Sequence, residues 1–150
     1  MGAQQGACRD FDFVGTWTLK SWTREVVDTG EVSEIFGANP KGTITYGADG
    51  RMTALIVAGD RTRPENMQTM TDAERAQLFR TVVAYGGTYH REGQRLIHHV
   101  DISWNEIWTG TDQVREFVFD GKVLSLKTPP TPSPVDGKVA VATLVWERAA

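Results

Sequence analysis

Cysteine is all but missing from this chain. Cys8 is the single one among 150 residues, which excludes an intrachain disulfide and a structural zinc site of the usual thiolate kind. Such usage fits a reducing compartment, and the cytoplasm is the expected location. No run of Lys or Arg occurs, and a net charge of −3 over interspersed signs leaves no electrostatic footprint for nucleic acid or an anionic membrane. The opening residues Met1-Gly2-Ala3-Gln4-Gln5-Gly6 lack the apolar run of a signal peptide, and Gly6 stands where a myristoylation motif wants Ser or Thr. No apolar stretch is long enough for a transmembrane helix, no serine sits in a glycine-flanked elbow, and no internal repeat is found. The glycine-rich pieces do not match phosphate-binding loops, so no nucleotide is expected, and no other cofactor is expected either.

What is present suffices for one packed domain, since 40% of the residues are apolar. Residues 1–10 read as a flexible tail and residues 11–150 as the domain. Phe13–Trp22 alternates as a first strand, with Phe13, Trp17 and Leu19 on one face. Asp28-Thr29-Gly30 turns the chain into Glu31–Phe36, and Gly37-Ala38-Asn39-Pro40 breaks it again. Gly42–Tyr46 and Arg51–Ala58 form a hairpin through Ala48-Asp49-Gly50. A capping box at Thr71-Asp72-Ala73-Glu74, with Ala76, Phe79, Val82 and Val83 at helical spacing, predicts one helix over 71–85.

All three histidines lie in the stretch Gly87–Asp101, which reads as two strands joined at Glu92-Gly93. Pairing Arg91 with Gln94 puts Tyr89 opposite Leu96 and His98 diagonal to Tyr89 on one face with Val100 and Ile102. Asn105–Thr109 continues or kinks that strand. Thr111–Asp120, Val123–Thr128 and Lys138–Arg148 follow as strands, the last two separated by the stiff Pro129–Pro134 loop. The expected fold is all-β, an antiparallel barrel of about eight to nine strands with one helix, because closure removes exposed strand edges. Such a barrel has a lumen wide enough for side chains or one small ligand.

Several motifs together resemble one family. Gly15-Thr16-Trp17, Gly37-Ala38-Asn39-Pro40-Lys41-Gly42 before Tyr46, Asp49-Gly50-Arg51-Met52, Gly87-Thr88-Tyr89, His98-His99-Val100, Val114-Arg115 and Trp146-Glu147-Arg148 resemble, in order and spacing, the bacterial and fungal lipocalin-like domain proteins. The resemblance implies a small closed or nearly closed barrel with a ligand-sized cavity. Related barrels include carriers, uncharacterised proteins and cofactor-independent cyclases or isomerases of natural-product pathways, so the fold alone does not choose an activity. Where family members often carry a Pro-Trp pair after the histidine strand, this chain has Ser103-Trp104-Asn105-Glu106-Ile107-Trp108.

His98 is the candidate general acid or base, since imidazole titrates near neutrality, with a satisfied lumen histidine as the alternative. Tyr89 is the candidate hydrogen-bond donor beside it. Arg115, between Gln113 and Phe117 on an inward face, requires either a carboxylate partner, Glu106 or Asp101, or a ligand carboxylate, enolate or phenolate. Of these the internal salt bridge is slightly favoured. His99 should point outward, and the histidine pair makes a poor metal site because adjacent strand residues diverge. Tyr46, Met52, Ala54, Ile56, Trp104, Glu106, Trp108 and Phe117 are the expected ligand-lining residues, while Trp17 and Trp146 plug the core. The leading expectation is binding of an apolar or aromatic small molecule followed by cofactor-free isomerisation, cyclisation or elimination. Its rival is a carrier with the same cavity, and a third reading is an interaction module whose lumen is filled by its own aromatics. A homodimer is left open.

Overall fold

The computed structural model describes residues 12–132 and 136–149. The tail expected over residues 1–10 lies outside the described residues, as do Ser133 and Pro134 of the proline loop. Ten strands are present among the described residues: β1 (Gly15–Val26), β2 (Val32–Glu34), β3 (Lys41–Tyr46), β4 (Arg51–Val57), β5 (Val82–Glu92), β6 (Arg95–Ser103), β7 (Asp112–Phe119), β8 (Val123–Lys127), β9 (Thr131–Pro132) and β10 (Val139–Arg148). One helix, α1 (Asp72–Arg80), lies between β4 and β5. The sheet runs β2-β1-β3-β4-β5-β6-β7-β8-β10-β9, and β1 also pairs antiparallel with β10. That last pairing joins the eight long strands into a closed barrel and leaves the short β2 and β9 as additions. Closure leaves the long strands without unpaired edges.

Alternation drives the core. β4 reads Arg-Met-Thr-Ala-Leu-Ile-Val, and Met52, Ala54 and Ile56 are buried while the residues between them are exposed. Cross-strand register aligns inward rows, for example Ile44, Ala54 and Tyr85 on β3, β4 and β5. One end of the barrel is closed by Trp17, which is fully buried and donates its indole N–H to the Phe13 carbonyl at 3.0 Å. The Arg148 guanidinium lies 4.3 Å above the Trp17 ring and donates to the Val14 and Asp12 carbonyls. A cation over an indole, with its N–H groups satisfied, closes this end with stacked rather than purely apolar contacts.

The helix is shorter than the sequence predicts. Its capping box is as expected: the Glu74 N–H donates to Thr71 Oγ1, and the Thr71 N–H donates to Glu74 Oε1. It ends at Arg80, though, and Val82 and Val83 already belong to β5, paired with Val57 and Ile56. Two adjacent β-branched residues that find a strand partner favour the ladder over another helical turn. Among the described residues no helix is long and apolar enough to cross a membrane.

The central hairpin also differs in register from expectation. Glu92 pairs with Arg95 and Tyr89 with His98, so the turn residues are Gly93 and Gln94. Gly93 has a φ of +60°, which suits the first central position of a tight hairpin turn, where glycine is the usual occupant. The shift is even, so Tyr89 and His98 stay on the same face.

Candidate functional site

The barrel interior holds a cavity of about 50 Å³, room for about three water molecules at the usual requirement of roughly 10–15 Å³ each. Its wall is formed by Trp22, Ile44, Ala54, Ile56, Val83, Tyr85, His98, Trp108, Arg115, Leu126, Thr128, Ala142, Leu144 and Trp146. Trp22, Trp108, Arg115, Thr128 and Ala142 are only partly buried, which makes theirs the side on which a larger guest would have to enter.

His98 is the polar centre of this cavity and is 1% exposed. It points inward because β6 alternates, with Leu96, His98 and Val100 inside and His99 outside. The Tyr46 hydroxyl lies 2.8 Å from His98 Nε2, and the Tyr85 hydroxyl lies 2.8 Å from Nδ1. Both ring nitrogens are therefore engaged by phenols. Burial, with a smaller contribution from the Arg115 charge, pushes the imidazole pKa down to about 3. His98 is neutral at pH 7. The two phenols are held well into the neutral range too: burial raises the pKa of both, and Arg115 opposes it.

Arg115 does not find the carboxylate expected for it. Asp101 is taken by Arg51 on the outer surface, with guanidinium-to-carboxylate distances of 3.0 and 3.1 Å. Glu106 is exposed and accepts from Thr109 Oγ1. Arg115 instead donates to the Val114 carbonyl at 2.9 Å and to Gln113 Oε1 at 3.4 Å, a long and weak contact. Among the described residues it has no ion-pair partner, so a half-buried cation stands at the cavity wall with its charge uncompensated.

Of the residues singled out from sequence, the cavity brings together His98, Arg115, Ala54, Ile56 and Trp108. Six others do not line it. Tyr89 shares the inner face, but its hydroxyl donates to the Gly47 carbonyl at 2.9 Å, away from His98. Tyr46 reaches the site only through its bond to His98. Met52 pairs with Tyr46 further along the barrel, and Phe117 packs edge-on against Phe13 at 5.0 Å. Trp104 borders an outer groove with Leu55 and Ile102. Glu106 sits in a single 3-10 turn over Glu106–Trp108, capped by Asn105, that turns Trp108 inward and Glu106 outward. His99 is outside as expected and pairs with Asp112 at 2.8 Å.

Two important wall residues are missing from the candidates read in the sequence. Tyr85 was hidden inside the predicted helix, although Val83-Ala84-Tyr85 continues the alternation that runs on to Tyr89. Trp22 lies beyond an irregularity between Leu19 and Ser21 that shifts the inward positions of β1 by one residue. Among the described residues no group of three His, Cys, Asp or Glu side chains could hold a metal ion.

Comparison with known proteins gives the family. The chain is similar over 92% of its length, and over the whole of the other chain, to the crystal structure of an uncharacterized protein from Bacteroides eggerthii DSM 20697, at 13% identity and a TM-score of 0.46. No curated protein matches it. The lipocalin-like domain matches residues 14–149. A closed eight-stranded barrel with an interior cavity agrees with that match over nearly the whole chain, and the protein belongs to the lipocalin-like domain family.

Proposed function

We propose that the barrel binds a small apolar or aromatic molecule carrying one anionic oxygen, a carboxylate, enolate or phenolate, which Arg115 holds at the cavity wall. The observation that carries this reading is the uncompensated guanidinium: burial of a cation is unfavourable unless an anion or strong acceptor meets it. The apolar remainder of the wall supplies the hydrophobic contribution, and a ring-sized guest requires Trp22 and Trp108 to rotate outward from the partly exposed side. Calorimetric titration with benzoate and its neutral analogue benzamide tests the idea. Benzoate should bind at least about tenfold more tightly, with the gap closing in Arg115→Met. Equal affinities in the wild type would refute an anion site.

A second reading, catalysis, is supported by the neutral imidazole held between two phenols. Here His98 acts as acid through Tyr85, passing a proton from Nδ1 toward the guest's oxygen as water takes the α-proton, and Arg115 stabilises the developing enolate. Isomerisation, cyclisation or elimination in natural-product metabolism remains the reaction class. Exchange of the acetophenone methyl protons in D2O, followed by NMR, reports enolisation directly. An active protein accelerates it, and His98→Gln should lower the rate by about 10²–10⁴. A wild-type rate no faster than buffer leaves binding alone.

A further inference from the structure

The two hydroxyls bonded to His98 stand in unlike places. Tyr85 is part of the cavity wall. Tyr46 is 1% exposed, enclosed by Phe13, Tyr89 and His98, and its hydroxyl has no partner among the described residues except His98. A neutral imidazole offers one N–H and one bare nitrogen, and a phenol offers one hydrogen. With the proton on Nε2, Tyr46 would accept it, and the Tyr46 hydrogen would be left buried with no acceptor, which native interiors avoid. In the opposite direction the unpartnered hydrogen falls on Tyr85, which borders the cavity. Tyr46 donates to Nε2, Nδ1–H donates to the Tyr85 oxygen, and the Tyr85 hydrogen is left to point into the cavity.

We propose that Tyr46 fixes the direction of this three-residue chain and that Tyr85 is thereby the ligand-orienting donor, selecting guests that present a hydrogen-bond acceptor. The proposal rests on the cavity being a ligand site and adds what Arg115 does not supply. A guanidinium at the wall attracts negative charge, whereas a single phenol hydrogen fixes where on the guest the acceptor must lie. Tyr46 touches no guest and acts as a positioning residue.

The direction is tested without any guest by ¹⁵N NMR, in which protonated and bare imidazole nitrogens have well separated shifts. His98 should carry its proton on Nδ1, and a proton on Nε2 overturns the proposal. Tyr46→Phe should show a mixture of the two tautomers, and retention of the pure Nδ1–H form there would remove Tyr46 from its role. The donor is tested with acetophenone and α-methylstyrene, in which a methylene replaces the carbonyl oxygen. Bound acetophenone should show a lowered carbonyl stretching frequency. Tyr85→Phe should restore that frequency and weaken acetophenone about three- to tenfold while leaving α-methylstyrene unchanged. An unshifted frequency in the wild type, or equal losses for both probes, overturns the role of Tyr85. If neither probe binds, the ligand-site reading falls and the donor role with it, while the tautomer still decides the direction of the chain.

Discussion

Tyr89 stands directly across from His98 in the β5–β6 ladder, yet its hydroxyl donates to the Gly47 carbonyl and not to the imidazole. The phenols that do meet His98 come from β3 and from further back along β5. Inside a small barrel a long side chain spans the lumen, so its hydrogen-bond partner is set by ring reach across the interior and not by strand adjacency. The Tyr46 ring packs edge-on to Tyr89 at 4.8 Å, and this packing aims the Tyr46 hydroxyl at Nε2. Neutral His98 follows from that enclosure, with consequences for stability.

Acid should destabilise the protein through His98. Above pH 6.5 the imidazole is neutral in both folded and unfolded chains and makes no difference. Below it the unfolded chain takes up a proton that the folded chain, with its pKa of about 3, refuses. Stability therefore falls by at most about 1.4 kcal/mol per pH unit from pH 6.5 down to about 3. Asp101, Asp120 and Asp136 have lowered pKa values and also lose stability in acid. The comparison must therefore be with His98→Gln, whose chemical denaturation between pH 7 and 4 should show a distinctly shallower decline. Parallel profiles would mean that His98 is not held neutral.

Much of the fold was legible because alternation and turns are local signals. The β3–β4 hairpin, the inward set Met52, Ala54 and Ile56, and the capping box at Thr71 all follow from short windows. The site was legible only in its hub. His98 is a singular polar residue on an apolar face and Arg115 a charged one on an inward face, but their partners depend on which side chains cross the lumen, a property of closure and strand stagger. Tyr85 was lost to a boundary error, since Val82 and Val83 fit a helical stripe as well as a strand and only pairing with β4 decides between them. Ile102 belongs by simple alternation to the inner face with Val100, but the bulge opposite Gly86 and Gly87 turns it outward, while Asp101, named as a partner for Arg115, lies outside and pairs with Arg51.

Ala54 is a small residue on the cavity wall, opposite Ile44 and beside Tyr85 in register. Ala54→Val adds apolar atoms where about 50 Å³ is open. It should leave the melting temperature unchanged or slightly raised and weaken benzoate about tenfold or more, because volume is taken from the guest and not from a packed neighbour. A lower melting temperature with full affinity would show that Ala54 is packed and the cavity lies elsewhere.

Thr71→Ala removes the half of the capping box in which Thr71 Oγ1 accepts from the Glu74 N–H, worth about 1 kcal/mol of helix stability, and leaves the Thr71 N–H bonded to Glu74 Oε1. No residue of α1 is buried, so the helix is able to fray without opening the barrel. The loss should appear as faster amide hydrogen exchange confined to residues 74–80, with the thermal midpoint of the whole protein hardly moved. A fall in the midpoint by several degrees would mean that α1 is coupled to the barrel core.

The last prediction concerns two adjacent glycines that sequence alone makes equivalent. At Gly86 an added Cβ would meet the Met52 carbonyl oxygen at 3.3 Å and the end of Ile102 at 3.5 Å, contacts that small shifts relieve. At Gly87 it would lie 1.8 Å from the His99 carbonyl oxygen and 2.8 Å from its carbon, both backbone atoms of the paired strand. Only separation of β5 from β6 makes room there. The close approach occurs where Gly87 pairs with Val100 and Gly86 with Ile102, leaving Asp101 as the extra residue of a bulge. Gly86→Ala should therefore change stability by about 1 kcal/mol or less, whereas Gly87→Ala should destabilise by about 3 kcal/mol or more. The second substitution should also disturb the site, because β5 carries Tyr85 and β6 carries His98, and pushing the strands apart lengthens the bond between them. In a folded Gly87→Ala protein the ¹⁵N shifts of His98 should move, while those in Gly86→Ala stay at wild-type values. Equal and small losses for the two variants would show that the strands do not approach as closely at Gly87 as this arrangement requires.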